Sequence, residues 1–150
     1  MIELMNQEKM DFFKKEDDPF QNYLITNFGR VYSLKSKQWV KPLLNNYGYP
    51  RIDVNHYINK KRVYRKMVFI HIEVVKVFGD CLGQKFDKNQ KNIDIIEIDH
   101  LDKNPLNSSF KNLEIVSKKE NIRRRDMSDE ERREFIENRY IQNIELQDIF

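Results

Sequence analysis

The sequence predicts an α+β fold in which a β-rich N-terminal module precedes a strand–loop–strand–helix unit and a C-terminal helix. Between residues 20 and 70, short runs of β-branched and aromatic residues alternate with turn-forming stretches such as NFG and NNYG, which is typical of antiparallel strands. After residue 95, two short apolar runs flank a polar loop, and two S-x-x-E signals each indicate the start of a helix.

The first half of the chain is expected to be mostly β-structure. Residues 1–18 end in the acidic run KKEDD, and they predict a short helix or a loose arm closed by Pro19. From 71 to 78 the apolar spacing becomes that of a helix, and the polar stretch 79–94 predicts a loop. Before that helix, five strand-like runs read YLIT, RVYSL, WVKPLL, YPRIDV and RVYRKMVFI.

The second half is expected to form a compact unit around a polar loop. A strand predicted over residues 95–98 leads directly into Asp99 and His100, and a second strand is predicted over 113–116. Helices are then expected to begin at two capping boxes, which are Ser117 with Glu120 and Ser128 with Glu131.

Length and composition predict an intracellular protein in a reducing compartment. The chain has 150 residues, of which 39% are hydrophobic, and its single cysteine excludes an intramolecular disulfide and a Cys-rich zinc site. No apolar run approaches the ~18 residues of a membrane span, and the N-terminus lacks a secretory signal pattern. The expected location is the cytoplasm (the host cytoplasm if the gene is carried by a phage or virus), with no membrane association and no small-molecule organic cofactor.

Charge is distributed unevenly around a formal net charge of +3. Residues 1–18 carry −3 and residues 126–150 carry −5, whereas residues 19–125 hold 21 basic and 10 acidic residues, or +11. A basic body between acidic ends suits a polyanion such as nucleic acid, because each cation near a phosphate releases condensed counterions. Charge alone is equally compatible with an ordinary solvated basic surface.

The stretch EIDHLDKNPLNSSFKNLEIVSKKEN (97–121) combines oxygen ligands with an imidazole. Asp99 at a strand end and Asn121 on the following helix can offer oxygen atoms to a hard cation such as Mg²⁺, which keeps several waters and takes few protein ligands. His100 points to the other face of a regular strand, beside the cation, where a neutral imidazole can take a proton from water. In the same stretch Asn104 and Asn107 are interpreted as turn formers.

The pattern D-H-L-D-x-N-P-x-N, with N-L-E at 112–114 and E-N at 120–121, resembles the HNH nucleases, whose core is the ββα-metal fold. It is most similar to the phage and intron homing endonucleases in which the last motif position is Asn. The resemblance implies a DNA endonuclease that hydrolyses phosphodiester bonds with one divalent cation, Mg²⁺ or Mn²⁺. It also implies His100 as general base, Asp99 and Asn121 as metal ligands, and Asn112 as the brace of the loop that carries the histidine.

The resemblance extends upstream of the motif. TNFGRVYSL and KPLLNNYGYPRIDV are similar to the nuclease-associated modular domain, and I-H-I-E-V-V-K-V-F (70–78) fits the V-H-R-L-V-A-x-A-F pattern with Ile72 in place of Arg. Lys103 stands where a glycine is often found, so the loop is expected to differ slightly. The resulting division is an N-terminal arm (1–18), a DNA-binding module of the NUMOD type (19–80), an HNH core (81–125) and an acidic helical tail (126–150).

The expected partner is double-stranded DNA, bound by a monomer or weak dimer. Basic residues interleaved with Tyr64 on a β-ribbon suit a phosphate track or a groove, although an ordinary solvated strand face has the same pattern. A non-catalytic DNA-binding protein that retains the scaffold, a ribonuclease, and an interaction module for acidic proteins are the alternatives. The residues expected to contact DNA are Arg30, Lys61, Arg62, Arg65, Lys66, Arg123 and Arg124.

Overall fold

The computed structural model of the protein describes residues 2–13, 20–79 and 96–138. Across this part the chain is α+β, as predicted, with three antiparallel sheets and with helices after the second and third sheets. Nearly all of the predicted polar loop, and the last part of the acidic tail, lie outside the described residues. None of the described helices is long and apolar enough to cross a membrane.

The first sheet has the strand order β1-β2-β3-β4. The predicted N-terminal helix or loose arm is wrong, because β1 pairs antiparallel with β2 and places Met10 opposite Thr26. The next residue, Phe13, is buried and packs against Phe20 at a ring-centroid distance of 5.7 Å, which fixes the N-terminal segment against the sheet. The strands span Met10–Phe12, Tyr23–Thr26, Val31–Ser33 and Gln38–Trp39.

The second sheet is dominated by a long hairpin of two nine-residue strands. Asn59 and Lys60 at its turn both have positive φ, 50° and 63°, as a two-residue type I′ turn requires. The register shifts between His56 and Tyr57, so the ribbon bulges near its tip. The strands are β5 (Leu43–Leu44), β6 (Pro50–Ile58) and β7 (Lys61–Phe69), and β7 continues directly into α1 (Ile70–Phe78).

The third sheet and the helix that follows it form a ββα unit, as predicted. Strand β8 pairs antiparallel with β9, with Asp99 opposite Glu114 and His100 opposite Leu113. Ser117 Oγ accepts from the backbone N–H of Glu120 at 3.1 Å, which confirms the first predicted helix start. The elements are β8 (Ile96–His100), β9 (Leu113–Ser117), α2 (Lys118–Arg125) and a helix α3 over 129–138.

The second predicted helix start is confirmed by a reciprocal capping box. The backbone N–H of Glu131 donates to Ser128 Oγ at 3.2 Å, and the backbone N–H of Ser128 donates to Glu131 Oε2 at 2.8 Å. Both side chains therefore satisfy backbone donors at the N-terminus of α3. This cap fixes where α3 begins relative to the end of α2.

One hydrophobic cluster joins the β-rich module to the ββα unit. It includes Phe20 and Val54 from the module together with Phe110 and Leu113 from the unit, and burying each such side chain contributes roughly 1.5–3 kcal/mol. Gly29, at φ +81°, approaches so closely that a Cβ there would lie 2.7 Å from the Cβ of Ser108. The loop that joins β8 to β9 is thus packed against the turn between β2 and β3 of the first sheet.

Candidate active site

A cleft of about 250 Å³ lies where the ββα unit meets the turn between β5 and β6. Its walls include Asp99 and His100 from the end of β8, Asn121 from α2 and Tyr49 from the turn. Three of the four residues predicted to form the metal-dependent site are therefore brought to one cavity. A larger groove of about 650 Å³ lies beside β3 and β6, and none of the predicted catalytic residues lines it.

The Asp99 carboxylate is held by two guanidinium groups. Arg124 Nη1 and Arg132 Nη1 donate to Asp99 Oδ2 at 3.2 and 3.0 Å, and Asp99 is only 6% exposed. This pairing offsets the cost of removing a carboxylate from water. Within the described residues Asp99 Oδ1 accepts no hydrogen bond, so one carboxylate oxygen remains available to a ligand.

Asn121 offers a second oxygen from the opposite wall. Its Nδ2 donates to the carboxylate of Glu97, which lies two residues before Asp99 and hence on the same face of β8. Because the amide nitrogen must face this carboxylate, the orientation of the amide is determined by the contact. Across the described part of the chain, Asn121 Oδ1 accepts no hydrogen bond.

His100 lies in a cluster of three aromatic rings. Its ring centroid is 5.5 Å from that of Tyr49 and 5.1 Å from that of His71, and the last two are 5.2 Å apart. His100 is 6% exposed, and its Nε2 is buried without a hydrogen-bond partner among the described residues. A buried nitrogen without a protein partner beside a cleft is suited to bind water or substrate.

Burial keeps both histidines of this cluster neutral. Burial lowers the pKa of His100, and the carboxylates of Asp102 and Asp99 oppose that change without reversing it. Burial, followed by the neighbouring His100, lowers the pKa of His71 to about 4. At neutral pH the imidazole of His100 can therefore accept a proton.

Asn112 cross-links the loop that follows His100. Its Nδ2 donates to Asp102 Oδ1 at 2.9 Å and to the Asn107 carbonyl at 3.0 Å, and its Oδ1 accepts from the Asp102 backbone N–H at 3.1 Å. The Leu101 N–H also donates to the Asn112 carbonyl at 2.8 Å. These contacts hold the loop at the point where the chain leaves His100, and Asn112 does not itself line the cleft.

The turn roles predicted for the other asparagines are confirmed. Asn104 Oδ1 accepts from the Leu106 N–H at 3.1 Å, and Asn107 Oδ1 accepts from the Ser109 N–H at 3.2 Å, as in Asx turns. Lys103, in the position where glycine was expected, has φ +59°. The loop therefore keeps a left-handed residue there at the strain that a non-glycine side chain brings.

The donor set fits a hard divalent cation that keeps part of its water shell. No group of three or more His, Cys, Asp or Glu side chains suitable for a metal occurs in the described ranges, so a complete protein cage of the zinc type is absent from them. Asp99 and Asn121 instead present carboxylate and amide oxygens to one cleft. Mg²⁺ and Mn²⁺ accept such oxygen ligands, with water and phosphate in the remaining positions.

The basic residues predicted to contact DNA occupy two different settings. Lys61 and Arg62 are exposed near the tip of the β6–β7 hairpin, and Arg65 is exposed but pairs with Asp53 at 2.7 Å. Lys66 is half-buried and lies 5.8 Å from the ring of Phe20. The hairpin therefore presents a basic tip to solvent and has its base fixed to the core.

Three predicted DNA contacts are already engaged within the protein. Arg30 donates to Glu8 at 2.9 and 2.7 Å and stacks 3.7 Å above the ring of Trp39. Arg123 remains exposed but donates twice to Glu120. Arg124 requires a correction: its side chain is only 7% exposed and binds Asp99 and two glutamates, so it cannot reach a DNA backbone.

Sequence reasoning missed three residues that shape the cleft. Glu97 could have been found, because alternation along β8 puts it on the face of Asp99. Tyr49 carries no signal that distinguishes it from the other tyrosines, and Arg132 lies in the predicted acidic tail (126–150), outside the predicted HNH core (81–125). The capping box at Ser128 indicated the helix that carries Arg132, but nothing in the sequence indicated that α3 would fold back onto Asp99.

Comparison with known proteins identifies relatives for most of the chain. No model of a protein family matches the sequence. The H-N-H endonuclease F-TflII of Escherichia phage T5 is 31% identical over 112 residues, 75% of this chain and 51% of the relative. The H-N-H endonuclease F-TflI of the same phage is 34% identical over 118 residues, 77% of this chain and 52% of the relative. The chain therefore spans about half the length of the curated relatives it matches.

The fold has a counterpart among solved structures. A structure of DNA binding and cleavage by the HNH homing endonuclease I-HmuI matches with a TM-score of 0.58 at 22% identity, over 86% of this chain and 66% of that one. The ββα unit with its Asp-His pair, the sequence similarity to two phage proteins and this shared fold agree with one another. The chain is therefore similar in sequence to two H-N-H endonucleases over about three quarters of its length, and it shares the fold of an HNH homing endonuclease.

Proposed function

We propose that this protein is a metal-dependent DNA endonuclease that hydrolyses phosphodiester bonds at the cleft formed by Asp99, His100 and Asn121. The observation that carries the proposal is the convergence of these three side chains on one cavity. The relatives are named endonucleases and the matching structure is described as one that binds and cleaves DNA, which supports the substrate class. The phage relatives also favour a role in a mobile element, as in homing.

His100 is proposed as the general base. Its Nε2 is buried beside the cleft with no partner in the described ranges, and burial lowers the pKa of its imidazole so that the neutral form prevails at neutral pH. The imidazole takes a proton from water as the water oxygen bonds to phosphorus and the bond from phosphorus to the 3′ oxygen breaks, and the departing 3′ oxygen takes a proton from solvent. The products implied by the family resemblance carry 5′-phosphate and 3′-hydroxyl ends.

Asp99 and Asn121 are proposed as the protein ligands of one divalent cation. The Asp99 Oδ1 and Asn121 Oδ1 atoms face no protein donor in the described part of the chain, whereas the other polar atom of each side chain is bound by Arg124 and Arg132 or by Glu97. Such a cation would neutralise charge on the phosphate and on the leaving oxygen. Each ligand is thus oriented by a partner that occupies its second polar atom.

The β6–β7 hairpin is proposed to bind the DNA backbone. Lys61 and Arg62 at its tip are exposed and make no ion pair within the described residues. Cations of this kind lose little of their charge to the protein and can each neutralise a phosphate. Affinity and chemistry would then reside in different parts of the molecule.

Cleavage of supercoiled plasmid is the test of the proposed function. The wild-type protein is expected to nick or linearise plasmid with Mg²⁺ or Mn²⁺ and to be inactive with excess EDTA. His100→Ala and Asn121→Ala are each expected to lower kcat by about 10²–10⁴-fold, as loss of a general base or of a metal ligand does. His56→Ala, on β6 outside the cleft, is the control and should keep the wild-type kcat at saturating DNA, because the hairpin is proposed to supply affinity and not chemistry.

Two outcomes would contradict the assignment. Equal cleavage by the wild type and both variants would show that the cleft is not the catalytic site. Metal-independent binding of DNA by a protein that cuts neither DNA nor RNA would favour a binding protein that retains the scaffold, and preferential cleavage of matched RNA would indicate a ribonuclease.

A further inference from the structure

Arg132 of α3 is buried at the cleft wall in a way that stability does not explain. It is 5% exposed, yet it carries a full positive charge and its Nε has no hydrogen-bond partner in the described part of the chain. Burying a guanidinium group costs several kcal/mol unless its donors are satisfied. An apolar side chain of similar size would fill this position at lower cost.

Arg132 binds the Asp99 carboxylate and the backbone of α2 at the same time. Its Nη1 donates to Asp99 Oδ2 at 3.0 Å, and its Nη2 donates to the Arg124 carbonyl at 3.1 Å. The second contact lies in the last turn of α2, where a cation is favourable because helix carbonyls are exposed there. The guanidinium is therefore anchored to the α2 backbone with one nitrogen while it holds the carboxylate with another.

Arg124 also donates to Asp99 Oδ2, but it binds further groups of the fold as well. It donates to Glu114 at 2.6 Å and to Glu120 at 3.0 Å, and its guanidinium carbon lies 4.6 Å from the ring of Phe135. In the described ranges Arg132 has Asp99 as its sole carboxylate partner. Of the two arginines, Arg132 is thus the one dedicated to Asp99.

We propose that Arg132 is a positioning residue of the active site, which binds Asp99 Oδ2 and so keeps Oδ1 available to the divalent cation. This inference rests on the proposed function and extends the site into the α3 helix, beyond the ββα unit. Two donors on Oδ2 prevent rotation of the carboxylate, and a ligand whose orientation is fixed in advance binds a cation with less loss of side-chain freedom.

The test compares Arg132→Gln with Arg133→Gln, which removes the same charge from an exposed position on the same helix. Binding of Mn²⁺ alone, without DNA, is measured by calorimetry, and kcat and KM are measured on duplex DNA. Arg132→Gln is expected to raise the Mn²⁺ dissociation constant about 10–100-fold and to lower kcat to a similar extent. Arg133→Gln is expected to match the wild type in both, and KM for DNA is expected to be unchanged in both variants.

A variant that keeps the charge separates positioning from simple stability. Lysine at this position can reach Asp99, but its single nitrogen cannot occupy both positions from which the two Arg132 nitrogens bind Asp99 and the Arg124 carbonyl. Arg132→Lys is therefore expected to fold like the wild type and to lose part of the Mn²⁺ affinity. If Arg132→Gln fails to fold, this variant decides, and wild-type Mn²⁺ affinity and kcat in Arg132→Lys would overturn the proposal.

The failure of this inference can be distinguished from failure of the proposed function. Suppose that the wild type cleaves DNA and that Arg132→Gln and Arg133→Gln have the same kcat and Mn²⁺ affinity. This result overturns only the positioning role of Arg132, even if Arg132→Gln is less stable to heat, and it leaves the proposed function intact. A wild-type protein that binds Mn²⁺ but never cleaves contradicts the proposed function, while the ratio of Mn²⁺ affinities still supports or overturns the role of Arg132.

Discussion

The arginines that bind Asp99 and the arginines of the β6–β7 hairpin show how differently one type of side chain is used within a small protein. Arg124 and Arg132 are buried, and both donate to Asp99. Arg62 at the hairpin tip is exposed and unpaired within the described residues, and Arg65 is exposed beside Asp53. The buried arginines hold a carboxylate of the protein in place, whereas an exposed and unpaired arginine is free to bind a phosphate.

This contrast predicts that the two regions respond to different solution conditions. Charges and hydrogen bonds inside the cleft are screened little by salt but depend on which groups are protonated. Exposed cations of the hairpin, in their proposed role as phosphate contacts, would act through counterion release, which added salt opposes. Acid should therefore act mainly on the cleft, and salt mainly on DNA binding by the hairpin.

The largest expected effect is destabilisation by acid through the aromatic cluster. The pKa of His71 in the folded protein, about 4, lies below that of a histidine in an unfolded chain, about 6.5. Between about pH 6.5 and pH 4 the unfolded chain therefore binds more protons than the folded protein does. The part of the unfolding free energy that depends on neutral His71 is fully present above about pH 6.5 and is lost as the pH falls from about 6.5 to about 4. It corresponds to roughly 2 kcal/mol of unfolding free energy between pH 7 and pH 5, and burial of His100 acts in the same direction.

His71→Phe isolates this contribution because phenylalanine keeps a ring in the cluster and cannot be protonated. Urea unfolding of this variant should show a smaller loss of stability between pH 7 and pH 5 than the wild type. His56→Phe, on β6 away from the cleft, is the matched control and should retain the wild-type pH dependence. Identical slopes in the two variants would show that the cleft is not where acid acts.

The next effect, of similar size in unfolding free energy, is expected from the loop brace. Asn112→Ala removes two donated hydrogen bonds and one accepted one around Asp102 and Asn107, and the groups left unpaired should cost about 1–3 kcal/mol of unfolding free energy. Cleavage should also fall, because the loop leaves β8 directly after His100. Asn104→Ala, which removes one turn hydrogen bond, should cost less in both measurements, and equal losses would contradict the brace role of Asn112.

Local sequence signals predicted the cleft's main residues because its elements are short and consecutive. The strand that carries Asp99, the turn asparagines and the cap at Ser117 are each determined within a few residues, and all of them occur in the structure. The two ligand candidates follow from the same local order, since two strands, the loop between them and one helix carry Asp99 and Asn121 into the same cavity.

The remainder depends on contacts between distant segments, which no local pattern reports. Arg132 reaches Asp99 across 33 positions, and its place on α3 gave no indication of that partner. Residues 10–12 were not recognised as a strand because three residues carry too little periodicity, and pairing with β2 decides their conformation. In the sequence, Arg124 is one of three consecutive arginines with no sign of burial, and in the structure it is buried beneath α3 next to Phe135.

The hairpin supplies the next prediction, which concerns salt. Arg62→Gln should lower the slope of log K against log salt for duplex DNA by about 0.9, the value for one lost phosphate contact. Because the cleft is untouched, kcat at saturating DNA should be unchanged. The slope is measured by fluorescence anisotropy from about 50 to 200 mM salt, a range over which such slopes are resolved. An altered kcat with an unaltered slope would contradict the proposal that the hairpin supplies affinity and the cleft supplies catalysis.

The smallest expected effect distinguishes paired from unpaired cations within the hairpin itself. Arg65 donates to Asp53 at 2.7 Å, so the pair presents little net charge to a phosphate, and Arg65→Gln should lower the salt slope by less than Arg62→Gln does. Removing the acid instead, in Asp53→Asn, should free the guanidinium and strengthen binding at low salt. An exposed ion pair is worth only about 0.2–1 kcal/mol, so stability should hardly change in either variant. Equal salt slopes for Arg65→Gln and Arg62→Gln would show that DNA breaks the Arg65–Asp53 ion pair on binding. The difference between buried and exposed arginines would then depend on burial alone and not on ion pairing.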